Sequence, residues 1–534
     1  MEQEIRRIEA ETLKAQLHDG QEMALLDARE EATFDKRHLF VASCVPLSRM
    51  EMIVDDLIPR RGTRVVWCDD GEGLAAVAAA RMAALGYTDV SLLDGGIAAW
   101  EQAGYRLYNG VHVPSKAFAE VVEHEAQTPW ITAEQLQAMI DRGEDMVIFD
   151  SRSYEEYHSN SIPGAISVPG AELVYRFTDL TPSPETTVVV NCGGRTRSII
   201  GAQSLINAGF PNQIVSLQNG TQAWHLAGYD VIEGATQRPP EVSAAGLAAA
   251  RAAAARVAAR FSVPTLDRAT LDAWRAEAAN RTLYVLDVRT PEEYEAGHVP
   301  DSLPAPGGQL VQETDSYMAV WGARVVLLDD NGVRATITAS WLKQMGWTDV
   351  AIMTLDAAGG ASAKGPHVPR TLGVKTDTAP TIDAASLHEA LAAGAIQVVD
   401  LDWSREYAKG HIPSAWFATR ARLRDALSML SPTEPIVLTS PDGVLAQLAA
   451  ADLEDVVTAP IQVLSGGTQA WCQAGFPLEQ GATRLADEVD DIRLRAREEG
   501  GNREAAMRAY LAWEIELVNQ MASEDDHRFQ VNTM

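Results

Sequence analysis

Short apolar runs rich in β-branched residues alternate with stretches of helical periodicity along the chain, and the alternation repeats four times. A first run in each unit ends in an acid: Leu25-Leu26-Asp27, Ile148-Phe149-Asp150, Val285-Leu286-Asp287 and Val398-Val399-Asp400. A second run follows at 65–67, 188–190, 325–328 and 436–438 and leads into a helical pattern, closed in three units by Gly86, Gly209 or Gly346. Glycine there suits the left-handed residue that ends a helix. Each unit then offers a third short strand and a turn, at Gly95-Gly96, Asn219-Gly220, Gly359-Gly360 or Gly466-Gly467. Trp100, Trp224 and Trp471 come next, and the third unit lacks its tryptophan. Strands alternating with helices predict parallel, doubly wound α/β domains, each opening with its own helix. In the second unit Thr132 and Gln135 are spaced for a capping box. Ligands of such sheets bind beyond the carboxyl ends of the strands, where the loop after each second run lies.

The units span about 5–108, 128–235, 264–366 and 380–482, with a tail over 483–534. A chain of 534 residues is too long for one core, which agrees with several domains. Its 44 Lys and Arg against 74 Asp and Glu give a net charge of −30, which argues against a nucleic acid or an anionic membrane as partner. A small anionic substrate would need a local basic pocket. Four cysteines, no CxxC pair and no Cys/His cluster of zinc-ligand spacing predict no disulfide framework and no metal. The first residues lack the pattern of a signal peptide and no apolar stretch reaches membrane-spanning length, so a cytoplasmic location is expected.

Spacing aligns the loops after the second runs. They begin Asp69-Asp70-Gly71-Glu72, Cys192-Gly193-Gly194-Arg195, Asp329-Asp330-Asn331-Gly332 and Ser440-Pro441-Asp442-Gly443. The second alone has a thiol at its head, and Arg195 and Arg197 place positive charge beside it. A cysteine where a strand gives way to a helix N-terminus meets converging N–H groups and the positive end of the helix dipole, both of which favour thiolate. Cys192 is therefore the candidate nucleophile, and Gly193, Gly194, Arg195, Thr196, Arg197 and Ser198 are the candidate substrate-binding residues. Cys68 precedes the aligned position and has Asp69, Asp70 and Glu72 around it, which would raise its pKa. It reads as structural, as do Cys44 and Cys472.

These residues resemble the rhodanese family of sulfurtransferases. The marks are Asp150-Ser151-Arg152, Glu156-Tyr157, Ile162-Pro163-Gly164-Ala165, the Cys192 loop, and Asn219-Gly220 followed by Trp224. The resemblance extends to all four units and is weakest in the third and fourth, where Asp402 replaces the arginine of Asp-x-Arg and the third unit's tryptophan is missing. It implies four tandem rhodanese-like α/β domains plus a C-terminal helical tail. It also implies transfer of the outer sulfur of thiosulfate, or of another sulfane-sulfur donor, through a Cys192 persulfide to cyanide or a thiol acceptor, without a cofactor. Cys-x4-Arg is shorter than the Cys-x5-Arg loop of cysteine phosphatases, and two arginines after Gly194 set it apart from the Cys-Gly-Ser-Gly-Val-Thr loop of mercaptopyruvate-using relatives. The alternative is a persulfide carrier or scaffold whose other repeats recruit partners.

The acids of the first runs occur in units without a nucleophile and so read as turn caps and partners for Arg29, Arg152 and Arg289. His38, His298 and His411 stand only where the cysteine is missing and read as structural; the three tryptophans read as packing anchors. Residues 244–260 have strong helix propensity, and Arg251, Arg256 and Arg260 fit a connector packed on its neighbours. In the tail, 484–499 reads as charged and helix-prone. Residues 504–521 read as an amphipathic helix around Met507, Tyr510, Leu511, Ile515 and Val518, suited to clasping another domain or to a homo-oligomer contact.

Overall fold

The computed structural model describes residues 5–374, 379–428, 430, 435–453, 459–495, 498 and 501–532. Four sheets follow one another along the chain, and every strand pair within them is parallel. In the second unit the order is Trp130–Ile131, Ile214–Leu217, Thr187–Asn191, Met146–Asp150 and Ala165–Ser167. The first and fourth sheets share this order, which puts the first and second apolar runs side by side at the centre. The third sheet has four strands. Its missing edge is a single bridge between Thr265 and Ile352, beside a proline that has no N–H to give.

Local chemistry explains the repeated details. Thr132 and Gln135 form the expected capping box, at 3.2 and 2.8 Å. The glycines that end the second-unit and first-unit helices, Gly209 and Gly86, lie at φ +77° and +94°. Trp100, Trp224 and Trp471 are buried, and each indole N–H donates to a carbonyl six residues on, at 3.1, 2.9 and 2.9 Å. His38, His298 and His411 are also buried and stack on Phe34, Tyr294 and Tyr407 at 3.8–3.9 Å.

The Asp-x-Arg motif is a buried pair, with Nε to Oδ1 at 2.8 Å for Arg29–Asp27 and 2.9 Å for both Arg152–Asp150 and Arg289–Asp287. In the fourth unit, which has Asp402 in place of the arginine, Arg49 of the first unit reaches across. Its guanidinium donates to the Leu401 carbonyl at 3.1 Å and lies 3.7 Å over the Trp403 ring.

Three expectations change. Gly359-Gly360 is not the counterpart of the other glycine turns. The strand Val350–Thr354 is followed by Leu355-Asp356-Ala357, and a turn over 355–359 replaces the helix of the other units. The described part of 484–499 is irregular rather than helical, because its acids turn to arginines and amides elsewhere. Arg422 donates to Asp487 at 2.8 Å, and Asp491 accepts from the Ser404 amide. The helix Arg503–Met521 does form, but its buried stripe is Met507, Leu511, Glu514, Leu517 and Met521, with Ile515 44 % exposed. That stripe packs within the chain on the helix Val113–Ala126, so the face expected to serve a homo-oligomer is already covered.

The helix Ala244–Phe261 wedges between the helices Glu172–Leu180 and Val333–Gln344 and fuses the second and third units. Arg256 donates to the Ala208 carbonyl at 2.6 Å, as a packed connector should. Among the described residues no helix is long and apolar enough to cross a membrane.

Candidate active site

Cys192 follows directly on the central strand Thr187–Asn191 and is 2 % exposed. Its thiol donates to Ser198 Oγ at 3.5 Å, and the backbone N–H groups of Gly194 and Ser198 point at the sulfur. Among the described residues, the N–H groups of Gly193, Arg195, Thr196 and Arg197 donate to no other backbone group. They are a set of open donors at a helix N-terminus, disposed for an anion. The helix Gly220–Leu226 is pressed against the loop, its Thr221 amide donating to the Cys192 carbonyl at 2.8 Å. Gly220 permits this approach: φ is +55°, and a Cβ there would lie 2.3 Å from the Cys192 oxygen.

The sequence pattern led us to expect a thiol with a depressed pKa. Burial instead pushes the Cys192 thiol above its ordinary value, while the Arg197 charge, the Ser198 hydroxyl and the two loop amides pull against that rise. These groups favour thiolate, but desolvation outweighs them.

The two arginines part company. Arg197 is bonded bidentately to Glu156, with Nη2–Oε1 at 3.0 Å, and donates to Gln309 of the third unit at 3.0 Å. Its charge acts on Cys192, and it in turn holds the Glu156 carboxyl down to about 2. Arg195 is 4 % exposed, and acids of the helix Val113–Ala126 hold its guanidinium. It bonds to Glu120 at 2.6 and 2.7 Å, to Glu123, and to Asn219 at 3.1 Å. Arg195, expected among the substrate-binding residues, spends its donors on fixing the loop to the preceding helix. Thr196 reaches Glu514 at 3.5 Å and Ser198 bonds the Arg195 carbonyl at 2.8 Å, so both order the loop.

Sequence reasoning missed the helix Val113–Ala126, although Pro114 near its start and the apolar spacing of Val113, Ala117, Val121 and Phe118, Val122 signal it. It supplies Glu120, Glu123 and Lys116. The tail was also not assigned to the site. Tyr510 donates to Glu514 at 2.7 Å, and a Cβ on Gly194 would come within 3.1 Å of Glu514 and 3.4 Å of Tyr510. No sequence signal ties residues more than 300 positions apart.

The other three loops keep the geometry and have no thiol at their head. Asp69 accepts from the Gly71 and Ala75 amides at 3.0 and 2.9 Å. Asp329 accepts from Asn331, Gly332 and Ala335, and Ser440 accepts from Ala446 at 3.3 Å. Cys68 is buried at the end of its strand beside Asp27, and its thiol is pushed well up by burial and that carboxylate.

Comparison with known proteins gives one consistent picture. The Rhodanese-like domain profile matches residues 9–103, 132–227, 269–357 and 383–474. The crystal structure of a thiosulfate sulfurtransferase from Pseudomonas aeruginosa is 46% identical, with a TM-score of 0.95, over 99% of this chain and 100% of that one. An HTH-type transcriptional regulator of Mycobacterium tuberculosis is 34% identical over 105 residues, 20% of this chain and 45% of that protein. A Bacillus subtilis protein bearing the name Putative sulfur carrier protein is 28% identical over 102 residues, 19% of this chain and 54% of its own. The chain thus spans about half the length of these two curated relatives.

Proposed function

This chain belongs to the rhodanese family, with four copies of the domain, and we propose that it is a thiosulfate sulfurtransferase whose one working unit is the second. The observation that carries the reading is the Cys192 loop: of four equivalent loops, it alone has a sulfur nucleophile at its head, where the others place Asp69, Asp329 or Ser440. The whole-length likeness to a thiosulfate sulfurtransferase supports the same reading.

In the proposed first half-reaction the Cys192 thiolate attacks the outer sulfur of thiosulfate. The sulfur–sulfur bond of the donor breaks, sulfite leaves with its electron pair, and Cys192 keeps a persulfide. The loop amides and Arg197 hold the oxyanion end of the donor and then the persulfide charge, supplying preorganised stabilisation in a dry site. An acceptor, cyanide or a thiolate, next attacks the outer sulfur and returns Cys192 to thiolate. Arg152, whose Cδ would lie 3.7 Å from a Cβ on Gly193, fixes the loop from below. The other three units act as framework. Gln309 of the third unit holds Arg197, and Asp69, Asp329 and Ser440 each accept from the amide six residues further on. Steady-state formation of thiocyanate from thiosulfate and cyanide tests the reading: the wild-type chain turns over and Cys192→Ala does not. Equal turnover by both would refute it.

A further inference from the structure

A carboxyl from the far end of the chain is buried against the Cys192 loop, and one of its oxygens is left over. Glu514 stands midway along the helix Arg503–Met521 and is 1 % exposed. Its Oε1 accepts from the Tyr510 hydroxyl at 2.7 Å and from Thr196 Oγ1 at 3.5 Å. Its Oε2 has no hydrogen-bond partner among the described residues. That orphan oxygen lies at Gly194, 3.1 Å from where a Cβ would stand. The Gly194 amide points at the Cys192 sulfur. Gly194 thus lies against the carboxyl on one side and turns its N–H to the sulfur on the other.

The charge of this carboxyl matters to whatever the loop holds. The loop amides and Arg197 attract an anion. A carboxylate at Gly194 repels the same anion, and the repulsion is little screened in a buried site, whereas a neutral acid leaves the anion undisturbed. Cations face Glu514 from three elements: Lys116 of the helix Val113–Ala126, Arg195 of the loop and Arg493 of the tail. Glu120 of that helix adds negative charge, and the Cys192 sulfur faces Tyr510. Two of the cations are committed elsewhere, Arg195 to Glu120 and Glu123 and Arg493 to Asp35. Lys116 rests over the rings of Tyr510 and Trp513 at 5.4 and 5.2 Å. Burial outweighs all of them and holds the Glu514 carboxyl above its ordinary range.

We propose that Glu514 is a positioning residue of the sulfur-transfer site and works there as an uncharged acid: it fastens Thr196 and Tyr510 to the Cys192 loop, and its ionisation weakens the hold of the loop on the anionic donor. This deepens the thiosulfate reading of Cys192 and rests on it. Donor binding and ionisation of Glu514 oppose each other by the same factor in both directions. A donor that meets the ionised form draws one proton from solvent onto the carboxylate as it binds.

The test is rapid-quench measurement of sulfite release from thiosulfate in a single turnover of the full chain, from pH 5 to pH 9. Varying the thiosulfate concentration separates the dissociation constant of the donor from the limiting rate. Glu514→Gln keeps an oxygen for Tyr510 and Thr196 and cannot ionise. The variant and the wild type should hold thiosulfate alike at pH 5, and the wild type should hold it at least fivefold more weakly than the variant by pH 9. The limiting rate, set by the Cys192 thiolate, should climb with pH in both. Tyr510→Phe removes the hydroxyl that steadies the carboxylate and should carry the weakening to higher pH. A ratio of dissociation constants that stays the same across the range overturns the proposal, because a purely structural tether costs the same at every pH. An unshifted weakening in Tyr510→Phe overturns it independently, even where Glu514→Gln fails to fold. No sulfite release by the wild type at any pH refutes the thiosulfate reading instead, so the two failures are told apart.

Discussion

Asp329 and Cys192 head the same loop in two units, and both point their side chains at the N–H groups two and six residues further on. Asp329 accepts from Asn331 and Ala335, each at 3.1 Å, while Cys192 faces Gly194 and Ser198. A fixed carboxylate closes one copy of the loop. The other carries a sulfur in the carboxylate's place.

The two arginines of the loop should fail in different ways. Arg197→Ala removes the charge that acts on Cys192 and should lower kcat/KM for thiosulfate by about 10²-fold or more. Arg195→Ala leaves Glu120 buried without its partner and should cost about 3–5 kcal/mol of stability. Steady-state kinetics and thermal unfolding separate the two, and a kinetic defect without destabilisation in Arg195→Ala would contradict the assignment.

Gly220→Ala should disable the loop from outside it. The new Cβ would meet the Cys192 oxygen at 2.3 Å and the Gly194 oxygen at 2.8 Å, at φ +55°. At Gly228, φ is +83° with open space around it, so Gly228→Ala bears only the conformational cost of about 1–2 kcal/mol. Sulfur loading should fall at least tenfold in the first variant and stay near wild type in the second.

The loading rate should climb with pH. Burial raises the Cys192 thiol and the reactive form is the thiolate, so the single-turnover rate with thiosulfate should still be rising at pH 9. A plateau reached by pH 7 would show that the loop overcomes burial unaided.

The fourth unit offers a stability test. Burial pushes Asp400 up to about 7, because Asp402 replaces the arginine that Asp150 enjoys. The folded state therefore binds a proton that the unfolded chain releases near pH 4, and stability falls as pH rises from about 4 to about 7. Asp400→Asn abolishes this loss. Its unfolding temperature relative to wild type should increase between pH 5 and pH 8.

Much of this was legible in the chain because each unit rewrites the same local rules. The Asp-x-Arg pair, the tryptophan anchor and the strand–loop–helix junction are set by neighbours within a few dozen residues. The roles of the two arginines were not. Positions 195 and 197 lie about 200° apart around a helix start, so one meets Glu156 and the other the helix Val113–Ala126. The shape of the site was illegible for a different reason. Its wall comes from Lys116, Gln312 and the helix holding Met507 and Tyr510, side chains that meet only after the domains pack. The Gly359-Gly360 reading failed because glycine pairs mark turns of many kinds, and here the close approach needed at Gly220 has no counterpart.

Cys192 alone is proposed to accept sulfur. Incubating the wild-type chain and Cys192→Ala with thiosulfate, followed by intact-protein mass spectrometry, tests it most directly. A gain of one sulfur atom on the wild type, discharged by cyanide, and none on the variant is the expected result. No adduct on the wild type, or the same adduct on Cys192→Ala, would contradict it.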